Sequence, residues 1–318
     1  MRFWAGRGPN AQEIKTQSSL ASFMSQEVAS AQNESIRVAC SKDGLFTIQI
    51  LQPISPEGNS FEQSLELWSQ YSEYCNALIA ILSELTHVYI HENFNHKNLL
   101  LISYLEDQIV TAGAGETGFQ GLAFMARNRM VVIADQLGVE PISMSTLSIQ
   151  EDVGKIEELL IKFVNLSTIS GATNMISTLT SSCANLSQGA KRDSVVLSWF
   201  VIESVVSNMW HGWLRSIGAK QESLVKPPNS RRIKYLKGRD YTISIQSNML
   251  QLSGVLPSDI FTKIDKIRKI RNDVVHDLSH EPSLSETRDA LSTGFEVVSM
   301  SLGETVMAWP DESVRGFP

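Results

Sequence analysis

Arg271 and His276 stand five positions apart in the run Arg271-Asn272-Asp273-Val274-Val275-His276, and no other residues of the chain are so well suited by type and spacing to chemistry on a phosphodiester. A guanidinium grips a phosphate through paired, charge-assisted hydrogen bonds and stabilises charge that builds on its oxygens during reaction. An imidazole ordinarily titrates near about 6.5, so it can accept and return a proton close to neutrality.

The element that carries them reads as a helix capped by Ser258 and Asp259 and running to about Leu278. Its inward stripe is Ile260, Ile264, Ile267, Val274 and Leu278, and the long step from Ile267 to Val274 passes over Arg271. On this reading an arginine occupies a place where the helix wants an aliphatic. Burying a guanidinium is costly unless it is paired, so Arg271 needs a carboxylate, a phosphate or a groove open to water. His276 lies roughly 140° around an ideal helix and about 7.5 Å along it from Arg271, so one chain makes a poor cleft from the two. Two copies meeting about a two-fold axis would bring Arg and His of both chains together. Asn272 is one turn from His276 and could orient it within a single chain.

The elements around that helix are predicted to be helical too. Asp193 starts a long helix with Val196, Trp199, Val206, Trp210, Trp213 and Ile217 on one face and Gly218 as its stop. Glu203 falls on its inward side, placed to pair with Arg271. Ser283 and Glu286 form a capping box for a last helix bearing Leu291, Phe295, Val298, Leu302 and Val306. Between the long helix and the motif helix, Arg232 to Leu236 and Tyr241 to Ile245 read as an inserted β-hairpin around Lys237-Gly238. Its basic run, Lys226, Arg231, Arg232, Lys234, Lys237 and Arg239, is interleaved with Tyr235 and Tyr241. Cations of this kind supply phosphate affinity and aromatics stack on unpaired bases, although edge hairpins also favour Lys and Arg for solubility alone.

Arg271, four intervening residues and His276, with polar Asn272 directly after the arginine, match the Rx4-6H pattern of the HEPN superfamily. The segment Trp199-Phe200-Val201-Ile202-Glu203 resembles the helix in which many HEPN proteins place an acidic residue. The resemblance covers about Asp193 to Trp309, and the inserted hairpin departs from the family's minimal four-helix form. It implies a homodimeric, metal-independent endoribonuclease, a toxin or defence effector, acting on RNA with no cofactor, and a site of Arg271, His276, Asn272 and Glu203. An RNA 2′-OH would attack the adjacent phosphorus and leave a cyclic phosphate, with His276 moving the proton and Arg271 holding the phosphate. DNA lacks the nucleophile. Arg231, Arg232, Lys234, Lys237, Arg239 and Tyr235 would grip the nucleic acid. The alternative is a HEPN-like module that dimerises or binds nucleic acid without cutting it.

Upstream, Ile36 to Leu51 reads as a hairpin around Lys42-Asp43-Gly44, followed by helices from Phe61 to about His91, Asn98 to Gln108 and Phe119 to Leu137. Further helices are expected near Asp152 to Val164 and Asn174 to Leu186. Val139 to Gln150 is the expected boundary, giving an α-rich domain of residues 1–150 and a helical HEPN-like domain of 151–318. The fold class is mainly α. Gly113-Ala114-Gly115-Glu116-Thr117-Gly118 matches a GxGxxG fingerprint, with Asp135 downstream, and is the basis of a rival reading as a dinucleotide-dependent enzyme. That reading needs a strand before the glycines and further βα units after them. His91 and His96 are spaced one residue too far for an HExxH zinc site, and His87 and His91 read as a polar helix end, so no metal is expected. Cys40, Cys75 and Cys183 are odd in number and far apart, which implies neither a disulfide framework nor a zinc ribbon. A net charge of −7 argues against a general nucleic-acid coat. The start, MRFWAGRGPNAQEIK, has no apolar leader, so a cytoplasmic protein is expected, with the N-terminal half sensing, regulating or binding a protein partner and no association with a membrane.

Overall fold

The computed structural model describes residues 4–6, 22–51, 60–86, 101–105, 108–112, 150–220, 236, 241–277 and 279–306, with the backbone alone for 4, 60–65, 68, 101–105, 108–112, 150 and 217–220. The chain divides into two compact units, Met1–Val88 with Asn93–Ser177, and Tyr89–Glu92 with Thr178–Pro318. That division falls between Ser177 and Thr178, inside a helix, and the expected boundary at Val139 to Gln150 lies outside the described residues except for Gln150.

In the first unit, β1 (Trp4–Ala5) pairs in parallel with β7 (Gln150–Glu151). Strands β2 (Glu27–Gln32), β3 (Ile36–Ser41) and β4 (Phe46–Ile50) form an antiparallel sheet in that order. The β3–β4 turn is the one expected at Asp43-Gly44, with Gly44 at φ +72°, a conformation that L side chains resist. Helix α1 (Ser60–Thr86) buries Ala77, Leu78, Ile81, Leu82 and Leu85, and α2 (Val153–Ser167) buries Ile156, Leu159, Leu160, Phe163 and Val164. Helix α2 packs on β2 and β3, where Asn33 Nδ2 donates to the Val164 carbonyl and to Ser167 Oγ, both at 3.0 Å. Lys162 and Glu84 tie α2 to α1 at 2.7 Å.

Within the expected helix Asn98 to Gln108, the described residues 101–105 and 108 are strand rather than helix. Strands β5 (Leu101–Leu105) and β6 (Gln108–Ala112) form an antiparallel pair there. A short apolar run has no decisive period, and Ile102, Tyr104, Ile109 and Val110 are better strand than helix formers.

Helix α3 (Ala172–Ser187) carries the chain across the division. The rest of the second unit is built on α4 (Lys191–Lys220), against which α5 (Ile243–Leu252), α6 (Ser258–His276) and α7 (Leu284–Leu302) all pack. Helix α4 is apolar around much of its girth because it has several neighbours: Val195, Trp199, Ile202, Val205, Val206, Trp210 and Leu214 are all buried. Where α7 meets α3, Gly294 leaves no room for a side chain, since a Cβ there would lie 2.7 Å from Leu179 Cδ2. Ser182 on α3 closes a buried hydroxyl network with Ser194 and Ser198 on α4, both at 2.9 Å. The capping box of α7 is formed as expected, with Ser283 Oγ accepting from the Glu286 amide at 3.2 Å and Glu286 Oε2 accepting from the Ser283 amide at 2.8 Å.

The second arm of the expected insertion, Tyr241 to Ile245, is not a strand. It opens α5, with Thr242 as N-cap, because Ile243 and Leu250 bury one face while Gln246 Nε2 reaches back to the Tyr241 carbonyl at 2.8 Å. Its β-branched residues suggested a strand, and tertiary burial outweighs that preference. The protein is thus mainly helical, with a small antiparallel sheet near the N-terminus of the chain.

Candidate functional site

The motif helix α6 buries Ile260, Ile264, Ile267, Ile270 and Val274. Ile270 therefore fills the step from Ile267 to Val274 with spacings of three and four, and Arg271 does not replace a core aliphatic. The guanidinium instead flanks the stripe and is half-buried. Its Nη1 donates to Asn272 Oδ1 at 3.2 Å, while its Nε is shut away from solvent with no acceptor among the described residues. An unsatisfied charged donor at the margin of a core is costly, and native structures keep few of them.

His276 is the last residue of α6 and is exposed. It shares neither a hydrogen bond nor a face with Arg271, which matches the roughly 140° expected from five helical steps. Nor does a hydrogen bond between described residues join Asn272 to His276; the Asn272 carbonyl oxygen serves Arg271. Asn272 is thus a partner of the arginine rather than of the imidazole.

Glu203 does not pair with Arg271: no salt bridge joins them. The geometry of α4 against α6 explains why. Arg192, at the start of α4, donates from Nη2 to the Val274 carbonyl at 2.6 Å, which pins the first turn of α4 to the last turn of α6. Arg271 lies within one turn of Val274, whereas Glu203 is eleven residues, about 16 Å of helical rise, beyond Arg192. An inward-facing carboxylate was legible in the helical period; its height along the neighbouring helix was not.

Arg192 is the site residue that sequence reasoning missed. Besides the Val274 carbonyl, its guanidinium donates from Nη1 to the His280 carbonyl at 2.8 Å and from Nη2 to the Asp277 carbonyl at 3.4 Å. Beside it, Lys191 lies 3.4 Å from Glu281. A signal existed, because two cations in the first turn of a helix oppose its dipole and call for a partner elsewhere. The turn they hold is further organised by Asp277, whose Oδ1 accepts from the Ser279 amide at 2.8 Å and the Ser279 hydroxyl at 2.6 Å. The Ser279 hydroxyl first, then its amide, keep the Asp277 carboxyl below the usual range.

The basic residues Arg231, Arg232, Lys234, Lys237 and Arg239, and Tyr235, lie outside the described residues. Leu236 in their midst is described, and its carbonyl accepts from Trp210 Nε1 at 3.1 Å. Trp210 in turn stacks on Trp213 and Tyr241, with ring centroids 5.1 and 5.9 Å apart. Leu236 itself is thereby fastened to the buried Trp210 of α4.

Other chemistries find less support. Burial pushes the thiols of Cys40, Cys75 and Cys183 up to about 12, and the Asp43 charge adds to the effect at Cys40, so none supplies a thiolate nucleophile near neutrality. Among the described residues no cluster of His, Cys, Asp and Glu could hold a metal ion, and His87, His91 and His96 lie outside them. Gly113 to Gly118 also lie outside, but a strand, β6, does run up to Gly113. Its partner β5 is antiparallel, whereas a dinucleotide fold opens on a parallel βαβ unit. No helix among the described residues is long and apolar enough to cross a membrane.

Comparison with known proteins adds no relative: no family model matches the chain, and neither the curated proteins nor the solved structures give a match.

Proposed function

We propose that the helical second unit is a metal-independent endoribonuclease of HEPN type. The observation that carries this reading is the state of Arg271: a half-buried guanidinium held by Asn272, with a buried Nε that no acceptor among the described residues satisfies, on the helix that ends in an exposed imidazole. One turn earlier, by contrast, Arg268 finds Asp265 at 2.8 Å. Arg271 is instead kept for an external anion, and an RNA phosphate suits its forked geometry.

In this account Arg271 holds the scissile phosphate and His276 takes the 2′-OH proton as that oxygen attacks phosphorus. The bond to the 5′-oxygen breaks, that oxygen is protonated as it leaves, and a cyclic phosphate remains. Because Arg271 and His276 of one chain face apart, the competent site draws on two copies of α6 related by a two-fold axis. The basic residues Arg231, Arg232, Lys234, Lys237 and Arg239 supply further phosphate contacts, and RNA is the partner. A toxin or defence role fits such an activity, with the first unit sensing, regulating or meeting a protein partner in the cytoplasm.

Purified protein should cut single-stranded RNA in EDTA, and Arg271→Ala or His276→Ala should abolish cutting while circular dichroism shows the helices intact. Undiminished cleavage by both variants removes the proposal. The opposed faces of Arg271 and His276 favour one alternative, a HEPN-like module that dimerises or grips nucleic acid without cutting it. In that case RNA binds, charge reversal at Arg231, Arg232 and Lys234 releases it, and no product forms.

A further inference from the structure

We infer that Arg192 is a positioning residue for His276, acting through the end of the motif helix. The inference rests on the ribonuclease reading and deepens it. The last carbonyls of a helix have no partners within it, and a helix that ends in a working side chain tends to fray there. In α6 the Asp277 amide closes on the Asp273 carbonyl, which serves one of these groups. Arg192 serves the next from another helix, donating to Val274, and then reaches over the following turn to Asp277 and His280.

His276 is bracketed by these contacts: Val274 lies two residues before it, Asp277 one after and His280 four after. The planar fork of a guanidinium fits the task because separate N–H groups meet separate carbonyls without a change of rotamer. Its charge also faces the negative end of the α6 dipole. Lys191, paired with Glu281, grips the same turn from the adjacent position. The first turn of α4 therefore holds both sides of the imidazole's backbone, while the imidazole itself stays exposed.

A proton-transfer group displaced by about 1 Å can lose on the order of 100-fold in rate without losing substrate. Arg192→Ala should therefore lower kcat for RNA cleavage by about 100-fold while KM stays within about twofold. Amide exchange should rise in the segment 275–281 and remain unchanged in α7. Arg192→Lys keeps the charge but not the fork, and should fall between wild type and Arg192→Ala in both readouts. If Arg192→Ala does not fold, the lysine variant decides alone: wild-type kcat and exchange would overturn the inference, and a lowered kcat at unchanged KM would support it. A rise in KM at constant kcat, or unchanged exchange across 275–281, would also overturn it. Loss of activity in His276→Ala with none in the Arg192 variants would sink this inference and spare the ribonuclease reading. An inert wild-type protein would sink both.

Discussion

Arg271→Met separates a guanidinium kept for a ligand from one kept for the fold. The Arg271 Nε is buried without an acceptor among the described residues, and a stranded donor of this kind costs about 1–3 kcal/mol. Against that, the substitution forfeits the 3.2 Å hydrogen bond to Asn272, worth about 0.5–1.5 kcal/mol. Methionine fills the space of the arginine stem without presenting a donor, and its flexible thioether adapts to a half-buried margin. The balance is a variant as stable as wild type or more stable, by up to about 2 kcal/mol. Urea unfolding followed by circular dichroism measures this, and a gain of 1 kcal/mol would raise Tm by roughly 2–4 °C in a unit of this size. The same variant should not cleave RNA. A loss of more than about 1 kcal/mol would refute the reasoning, because it would mean that Arg271 is satisfied by the protein itself and contributes to the fold as an ordinary paired residue.

Two further outcomes test the packing around the site. Gly294→Ala gains about 0.5–1 kcal/mol of helix propensity but drives a methyl to 2.7 Å from the Leu179 side chain, which is fully buried; overpacking at about 1–3 kcal/mol prevails, and urea unfolding should show a net loss near 1 kcal/mol rather than a gain. The Ser283 amide, and after it the Ser283 hydroxyl, hold the Glu286 carboxyl below its usual value of 4.5, so the contribution of this box is complete above about pH 4.5 and is lost as pH falls through the folded value. Glu286→Gln should be the less stable protein at pH 7 and should converge with wild type in acid, whereas parallel stability curves would show that the carboxylate plays no part.

Much of the fold was legible because its signals are local. The Ser283–Glu286 capping box, the apolar period of α6 and the Asp43-Gly44 turn each specify an element from a few neighbouring residues. Strand β2, with its alternation of Val28, Ser30 and small alanines, carries no comparable signal and was missed. The phase of α6 was misread by one residue: Ile270, not Arg271, continues the stripe, since a step of seven on a helix is taken as three and four. The Tyr241–Ile245 segment was assigned from residue preference, which burial overrides in a short run, whereas Asn98–Gln108 offered an apolar run without a decisive period, and its β-branched and aromatic residues agree with the strands at 101–105 and 108–112. What no single helix could reveal is height along a neighbour. That Arg192 rather than Glu203 meets the end of α6 depends on how two helices lie against each other.

Whether Arg271 and His276 together perform transesterification on RNA without a metal is decided by incubating the protein in EDTA with a single-stranded RNA and with the same sequence made entirely of deoxynucleotides, and analysing the ends by mass spectrometry. The RNA should give fragments ending in a 2′,3′-cyclic phosphate, and the deoxy strand should stay intact. Intact RNA, or equal cutting of both strands, would contradict this chemistry.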